Sequence, residues 1–229
     1  MEIRILELLD GARQAEGTAV IIDVFRAFTV EPFVLAKQPA SLTAVERVDT
    51  ARRMKEADSS AVLIGERHGR MLDGFDYGNS PAAMQAADFR GAHVIHTTSA
   101  GTQGLAAASK ADVVLAGSLV NASATARYIR SLDPAVVSLV CMGWECRRNT
   151  EEDLLCAEYL KSLLEGKPIE QIRKRAEDLK YAEGKKFFDP KQADVFPEAD
   201  FWLCVDADRF DFAVRALRQE DGFLMEAVR

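Results

Sequence analysis

Cysteine and histidine are scarce in this chain, four and three among 229 residues. Cys141, Cys146, Cys156 and Cys204 form no Cys-x-x-Cys pair. A zinc site is therefore not expected, and the thiols read as reduced, mostly buried groups of a cytoplasmic protein. No apolar run approaches the roughly 20 residues that span a bilayer, and the stretch from Met1 to Asp10 is too charged for a secretory h-region. Positive charge is also short. Lysine and arginine total 29 against 36 acids, a net charge of −7, which argues against nucleic-acid binding because that needs a basic face to displace counterions. A small anionic ligand held by a few local arginines is compatible with the same balance. Apolar residues make up 48% and charged residues 28% of the chain, as in an ordinary globular protein, and the length suits one large domain over residues 1–229.

Short β-rich runs alternate with helical patterns. Strands are expected at 18–22, 42–45, 61–64, 92–95, 113–116, 136–140 and 201–205. Helices are expected at 24–37, 49–57, 81–87, 102–109, 121–131, 151–164, 169–181 and 211–217, with Pro32 kinking or restarting the first. Apolar strands separated by helices indicate an α/β fold, three α/β/α layers around a mostly parallel central sheet. Residues 184–197, rich in Lys, Phe, Asp and Pro, read as a flap or a crossing loop. The part from 184 to 229 completes the fold or forms that flap.

Polar or charged residues follow nearly every apolar run: Asp23 and Arg26; Gly65, Glu66 and Arg67; Thr97, Thr98 and Ser99; Gly117 and Ser118. In a parallel sheet these emerge at the carboxyl edge, where open α/β proteins bind ligands. One such turn is merely a strand end; four rich in Asp, Glu, Arg, Thr and Ser point to a site. Ser80-Pro81 suits an N-cap and first helical position, and Gly74, Gly78 and Asn79 before it can take positive φ and curl around a ligand. The loop from Thr97 to Thr102 also leads into a helix, offering hydroxyls and N–H groups to phosphate or sulfonate oxygens. Thr150 with Glu151, Glu152 and Asp153 reads as an N-cap and an acidic first turn. Asp23, Asp76, Glu152 and Asp153 are the carboxylates best placed to hold a hard cation such as Mg²⁺, which prefers oxygen ligands.

Three shorter matches lead elsewhere. Asp23 ends a strand as does the nucleophile of haloacid-dehalogenase phosphatases, but Phe25 stands where their second aspartate belongs, and the match fails. Arg67-His68-Gly69 reproduces the core of histidine phosphatases, with His96 as the candidate partner. Cys141 and Arg147 have the Cys-x5-Arg spacing of cysteine phosphatases, yet Glu145 inside that loop repels phosphate and Arg148 takes the usual Ser/Thr position. A buried Cys141 is the better reading.

Taken together, Asp23-Val24-Phe25-Arg26-Ala27, Gly65-Glu66-Arg67, Gly74-Phe75-Asp76-x-Gly78-Asn79-Ser80-Pro81, Thr97-Thr98 with Gly101-Thr102, Gly117-Ser118-x-x-Asn121-Ala122 and Glu152-Asp153 resemble the 2-phosphosulfolactate phosphatase family. These stretches occur in the family's order over residues 23 to 153. The resemblance implies a three-layer α/β phosphatase, dependent on Mg²⁺, that releases phosphate from 2-phospho-3-sulfolactate, a step of coenzyme M synthesis. The chain departs from the family after Arg26-Ala27, where hydroxyl residues are usual and Phe28 and Val30 flank Thr29, and at Ala100, where Asn is usual. A lost amide and bulkier neighbours alter the space for the organic part of the substrate.

The mechanism expected is Mg²⁺-assisted hydrolysis of a small anionic phosphomonoester. Asp23, Asp76, Glu152 and Asp153 would hold the metal, and Arg26 and Arg67 would clamp anionic oxygens with their bidentate forks. Asn79, Ser80, Thr97, Thr98, Ser99, Thr102, Ser118 and Asn121 would supply neutral contacts. The attacking group is Asp23 or a water. Two alternatives stand beside this one: a metal-independent histidine phosphatase using His68, and a non-catalytic phosphate- or sulfonate-binding protein. Compact acidic enzymes of this size often form a symmetric homodimer.

Overall fold

A computed structural model describes residues 1–167 and 169–229. Along the chain come β1 (Glu2–Glu7), α1 (Leu8–Gln14), β2 (Gly17–Ile22), α2 (Ala27–Leu35), β3 (Ser41–Ala44), α3 (Val48–Ala57), β4 (Val62–Arg67) and β5 (Arg70–Met71). Then follow α4 (Pro81–Ala86), β6 (His93–Thr97), α5 (Gly101–Ala107), β7 (Ala111–Gly117), α6 (Ala122–Leu132) and β8 (Val136–Cys141). The last elements are α7 (Glu151–Leu164), α8 (Ile172–Asp178), α9 (Glu198–Cys204), β9 (Ala213–Gln219) and β10 (Gly222–Val228). Pro32 lies inside α2 without ending it.

The strands are apolar on both faces because helices cover both. Ile21, Val94, Ala116, Val140, Val214 and Met225 face a core shared with α1, α2, α4 and α5. Their neighbours Val20, Ile22, Leu115, Val137 and Leu139 face α6, α7, α8 and α9. On that second face of the far half of the sheet, Leu63 and Ile95 pack with Ala51 of α3. This is the three-layer α/β/α arrangement.

The strand order is β1-β8-β2-β7-β9-β10-β3-β6-β4-β5. β1, β8, β2 and β7 are mutually parallel, and so are β3, β6 and β4. Between the two groups lies the hairpin β9–β10, antiparallel to each neighbour. The two parallel groups consequently run in opposite senses, and in a flat sheet their carboxyl ends would sit on opposite edges. A twist of about −20 to −25° per strand, accumulated from β2 to β6, turns the strand direction by roughly 100–125°. The ends of β4, β6 and β2 do meet, since Gly101 N reaches Asp23 Oδ2 at 2.8 Å and Ser99 N reaches Glu66 Oε1 at 2.7 Å, as a rotation of that order allows.

Two expected elements are corrected. Residues 201–205 are not a strand: Phe201 to Cys204 belong to α9, which starts after Pro197 with Glu198 and Asp200 in its first turn. A short apolar run has no periodicity of its own, and the proline and first-turn acids decide in favour of helix. Residues 211–217 are not a helix: β9 begins at Ala213 and pairs with β10 across a turn ending at Gly222. Pairing along the hairpin overrides the helical propensity of Arg215 to Leu217. β1, α1, β5 and β10 have no counterpart among the elements expected from the sequence.

Candidate active site

The chain leaves β2 at Asp23, whose carboxylate joins the starts of two helices. Oδ1 accepts from Ala27 N (3.3 Å) at the head of α2, and Oδ2 accepts from Gly101 N (2.8 Å) at the head of α5. Glycine is required at this approach, since a Cβ on residue 101 would lie 2.8 Å from the Phe28 ring and 3.1 Å from Asp23 Oδ2. Asp23 is only 8% exposed. Burial, aided by the nearby charge of Glu66, pushes its carboxyl up to about 6.

Glu66, near the end of β4, is also buried. Its Oε1 accepts from Ser99 N (2.7 Å), and its Oε2 accepts from Gly69 N (2.7 Å) and Ser99 Oγ (3.1 Å). Behind Asp23, Asp153 accepts from Val24 N and Gly143 N, both at 2.8 Å. Burial first, then Glu152 and Asp23, push the Asp153 carboxyl well up. Glu152 is buried with Oε2 unsatisfied, and burial pushes it up to about 7. The first turn of α7 thus puts two acids into the interior, although Thr150 makes no capping hydrogen bond there.

Asp23 and Glu66 line one open cleft, together with Arg26, Asn79, Ser99, Ala100, Trp144, Glu145 and Phe196. The Arg26 guanidinium is buried and largely committed. It donates to Asp200 Oδ2 (2.7 Å), Val195 O (2.8 Å) and Gly69 O (3.0 Å), and lies 4.9 Å from the Phe196 ring centroid. Asn79 accepts at Oδ1 from His96 Nε2 (2.9 Å), which leaves its Nδ2 as a donor. His96 is fully buried, with its other nitrogen 3.1 Å from Glu31 Oε1.

The other residues singled out from the sequence lie around this cleft or away from it. Ser80 caps α4, accepting from Ala83 N and donating to Asp200 Oδ1 (2.7 Å). Thr98 and Thr102 are buried and bond each other across the turn into α5. Arg67 turns to the Glu66 and Glu46 carbonyls and to Thr97 Oγ1, and it does not line the cleft. Ser118 and Asn121 are fully buried, with Ser118 N donating to Asn121 Oδ1. Asp76 is exposed near the opposite end of β4, where Oδ2 accepts from Leu63 N (2.8 Å) and pairs with Lys55 (3.6 Å). It does not meet Asp23. Phe28 and Val30 are core residues, so of the family departures only Ala100 lines the cleft.

The shorter matches also find their places. The His68 side chain is exposed and pairs with Glu145, while His96 is enclosed by Glu31 and Asn79, so the two histidines share no catalytic arrangement. Cys141 ends β8 fully buried, and burial raises its thiol far from the thiolate that a nucleophile needs. Glu66, Trp144 and Phe196 line the cleft without an individual role assigned from the sequence, as do Glu31 and Asp200, which hold His96 and Arg26, and Lys186 of the neighbouring cavity. Glu66 sat inside a quoted motif, and Glu31 interrupts an apolar run. Lys186, Phe196 and Asp200 carry no local signal, because only the fold brings Phe196 to the cleft wall, Asp200 to Arg26 and Lys186 to the neighbouring cavity.

The donors at this cleft suit magnesium. Asp23 and Glu66 are buried carboxylates with no cation in ion-pair contact among the described residues, and the charge of Glu66 raises the cost of ionising Asp23. No group of three or more His, Cys, Asp or Glu side chains among the described residues is arranged as a metal cage. Mg²⁺ does not ask for one: it typically takes one or two carboxylates and completes its shell with water and substrate phosphate oxygens.

A family model described as 2-phosphosulpholactate phosphatase matches residues 3–190. Among curated proteins, a probable 2-phosphosulfolactate phosphatase of Bacillus subtilis is 28% identical over 206 residues, covering 89% of this chain and 87% of that protein. One of Carboxydothermus hydrogenoformans is 37% identical over 74% of this chain and 71% of its own length. One of Caldicellulosiruptor saccharolyticus is 37% identical over 65% of this chain, which spans 62% of that protein.

Proposed function

The chain belongs to the 2-phosphosulfolactate phosphatase family, and we propose that it is a Mg²⁺-dependent phosphoric monoester hydrolase that converts 2-phospho-3-sulfolactate to 3-sulfolactate and phosphate. The observation that carries this reading is the meeting of Asp23 and Glu66 in one cleft. Their oxygens are fixed by backbone N–H groups from the heads of α2 and α5 and from the β4–β5 turn. Fixed carboxylates need little reorganisation when charge moves in a transition state.

Asp23 and Glu66 would hold the metal, with Asp153 behind them anchoring Val24 and Gly143 rather than reaching the substrate. When bound, Mg²⁺ neutralises phosphoryl charge and orients the leaving oxygen, most of what a loose phosphoryl transition state requires. Asn79 Nδ2 is the neutral donor available to the phosphoryl oxygens, since the Ser99 hydroxyl is already given to Glu66 Oε2. Arg26, its charge shared with Asp200, secures the wall formed by Gly69, Val195 and α9, and presents the rest of its fork to the cleft. Asp76 and Arg67 are left out of this assignment because their contacts lie elsewhere.

The test is a panel of phosphomonoesters, with 2-phospho-3-sulfolactate and 2-phospholactate among them, followed by phosphate release in Mg²⁺. The sulfonated ester should have the highest kcat/KM. Equal, feeble turnover of every ester would overturn the substrate assignment.

A further inference from the structure

Next to the acidic cleft lies a second, open cavity with the opposite character. Trp144 and Phe196 line both spaces, so the two adjoin across these rings. Basic side chains dominate the second one. Arg148 is held by Glu183, and Arg70 pairs with Asp194 at 3.5 Å. Lys186 is different: it enters no ion pair or hydrogen bond among the described residues.

The Lys186 ammonium sits in an aromatic cage. Its Nζ is 4.4 Å from the Trp144 ring centroid, 5.3 Å from Phe196, 5.7 Å from Phe187 and 5.8 Å from Phe25. The ring faces compensate part of the lost hydration, but they accept none of its three N–H donors. Burial and the neighbouring Arg26 press the group towards its neutral form, opposed by Glu152, Glu183 and Asp23. An anion entering the cavity would relieve that imbalance directly.

We propose that this cavity is the subsite for the sulfonate of the substrate, with Lys186 as its specificity-determining residue; the proposal rests on the phosphosulfolactate reading above. The phosphoester and the sulfonate are fixed on one small carbon skeleton, and the structure offers two adjoining spaces of matching character. One has carboxylates to hold a metal against phosphate. The other has a cation with three unused donors for a group with three equivalent oxygens. Weak hydration of a sulfonate also lowers the cost of entering an aromatic-walled space. Residues 184–197 thus do more than cross the surface: they bring Lys186, Val195 and Phe196 to the second cavity.

The experiment compares 2-phospho-3-sulfolactate with 2-phospholactate, which keeps the carboxylate and lacks the sulfonate, in wild type, Lys186→Met and Lys186→Arg. The ratio of the two kcat/KM values should fall at least tenfold in Lys186→Met, through KM, and recover in part in Lys186→Arg. A ratio within threefold of wild type in Lys186→Met would overturn the subsite. Circular dichroism checks the fold, and Lys186→Gln makes the same comparison if the Met variant unfolds. A second readout is independent of turnover. The chain has two tryptophans, so in a Trp202→Phe background Trp144 alone reports sulfoacetate binding. Saturable quenching that weakens at least tenfold with Lys186→Met supports the subsite even if wild type hydrolyses neither ester, which would sink only the catalytic reading. Absence of saturable quenching would sink the subsite itself.

Discussion

Asp23→Asn should trade activity for stability, and the trade should depend on pH. Raising the Asp23 carboxyl from its ordinary 3.8 to about 6 costs the ionised native state on the order of 3 kcal/mol. Because the folded group titrates above the unfolded one, the native state holds the extra proton. Its stability is therefore highest below about pH 4 and falls as pH rises through about 6. Asparagine carries no charge to titrate. It keeps one oxygen for Gly101 N and loses the longer bond from Ala27 N, at about 1 kcal/mol and equally at every pH. The stability difference between Asp23→Asn and wild type should thus move in the variant's favour by about 2 kcal/mol between pH 4.5 and pH 8. For a chain of this size that is about 4–8 °C in Tm. Urea titrations in EDTA at the two pH values measure it. A difference that stays flat with pH would refute the claim that Asp23 is a buried, charge-stressed carboxylate. In Mg²⁺, the same variant should lose at least about 100-fold in kcat/KM.

Asp200→Asn should destabilise the protein by about 3–5 kcal/mol, since it leaves the buried Arg26 guanidinium without its partner; a loss under 1 kcal/mol in a denaturant titration would show that the pair is not structural. His68→Ala should change kcat/KM by less than tenfold, because the ring is exposed and paired with Glu145; abolished turnover would revive the histidine-phosphatase alternative. Glu66→Gln should cost at least about 100-fold in kcat/KM, and normal turnover in that variant would remove Glu66 from the metal site.

The parallel strands and their helices are legible in the sequence because each is a run of β-branched and apolar residues bounded by polar turns. Thr18 to Ile22 and Val136 to Val140 are such runs, and Ser80-Pro81 marks the start of α4 as its capping chemistry predicts. The C-terminal region is where local pattern fails. Phe201 to Cys204 and Ala213 to Leu217 are short segments without a dominant period, and each takes its form from its neighbours. Asp23 and Glu66 come from strand ends that the sequence marks clearly. Their meeting depends on the inserted hairpin and on twist, which no single segment encodes. Asp76 shows the opposite case: it lies in the most distinctive motif of the chain, yet its carboxylate caps the beginning of β4. Arg67 likewise ends a strand but satisfies carbonyls. Residue type and position after a strand predict polarity well, while the direction of a side chain depends on which backbone groups are left unpaired around it.

The measurement that bears most directly on the central claim is phosphate release from 2-phospho-3-sulfolactate by the purified protein in Mg²⁺ and in excess EDTA. Turnover in Mg²⁺, its loss in EDTA and its recovery when Mg²⁺ is returned are the results predicted. Equal turnover in both conditions would contradict the assignment of Asp23 and Glu66 to a divalent cation.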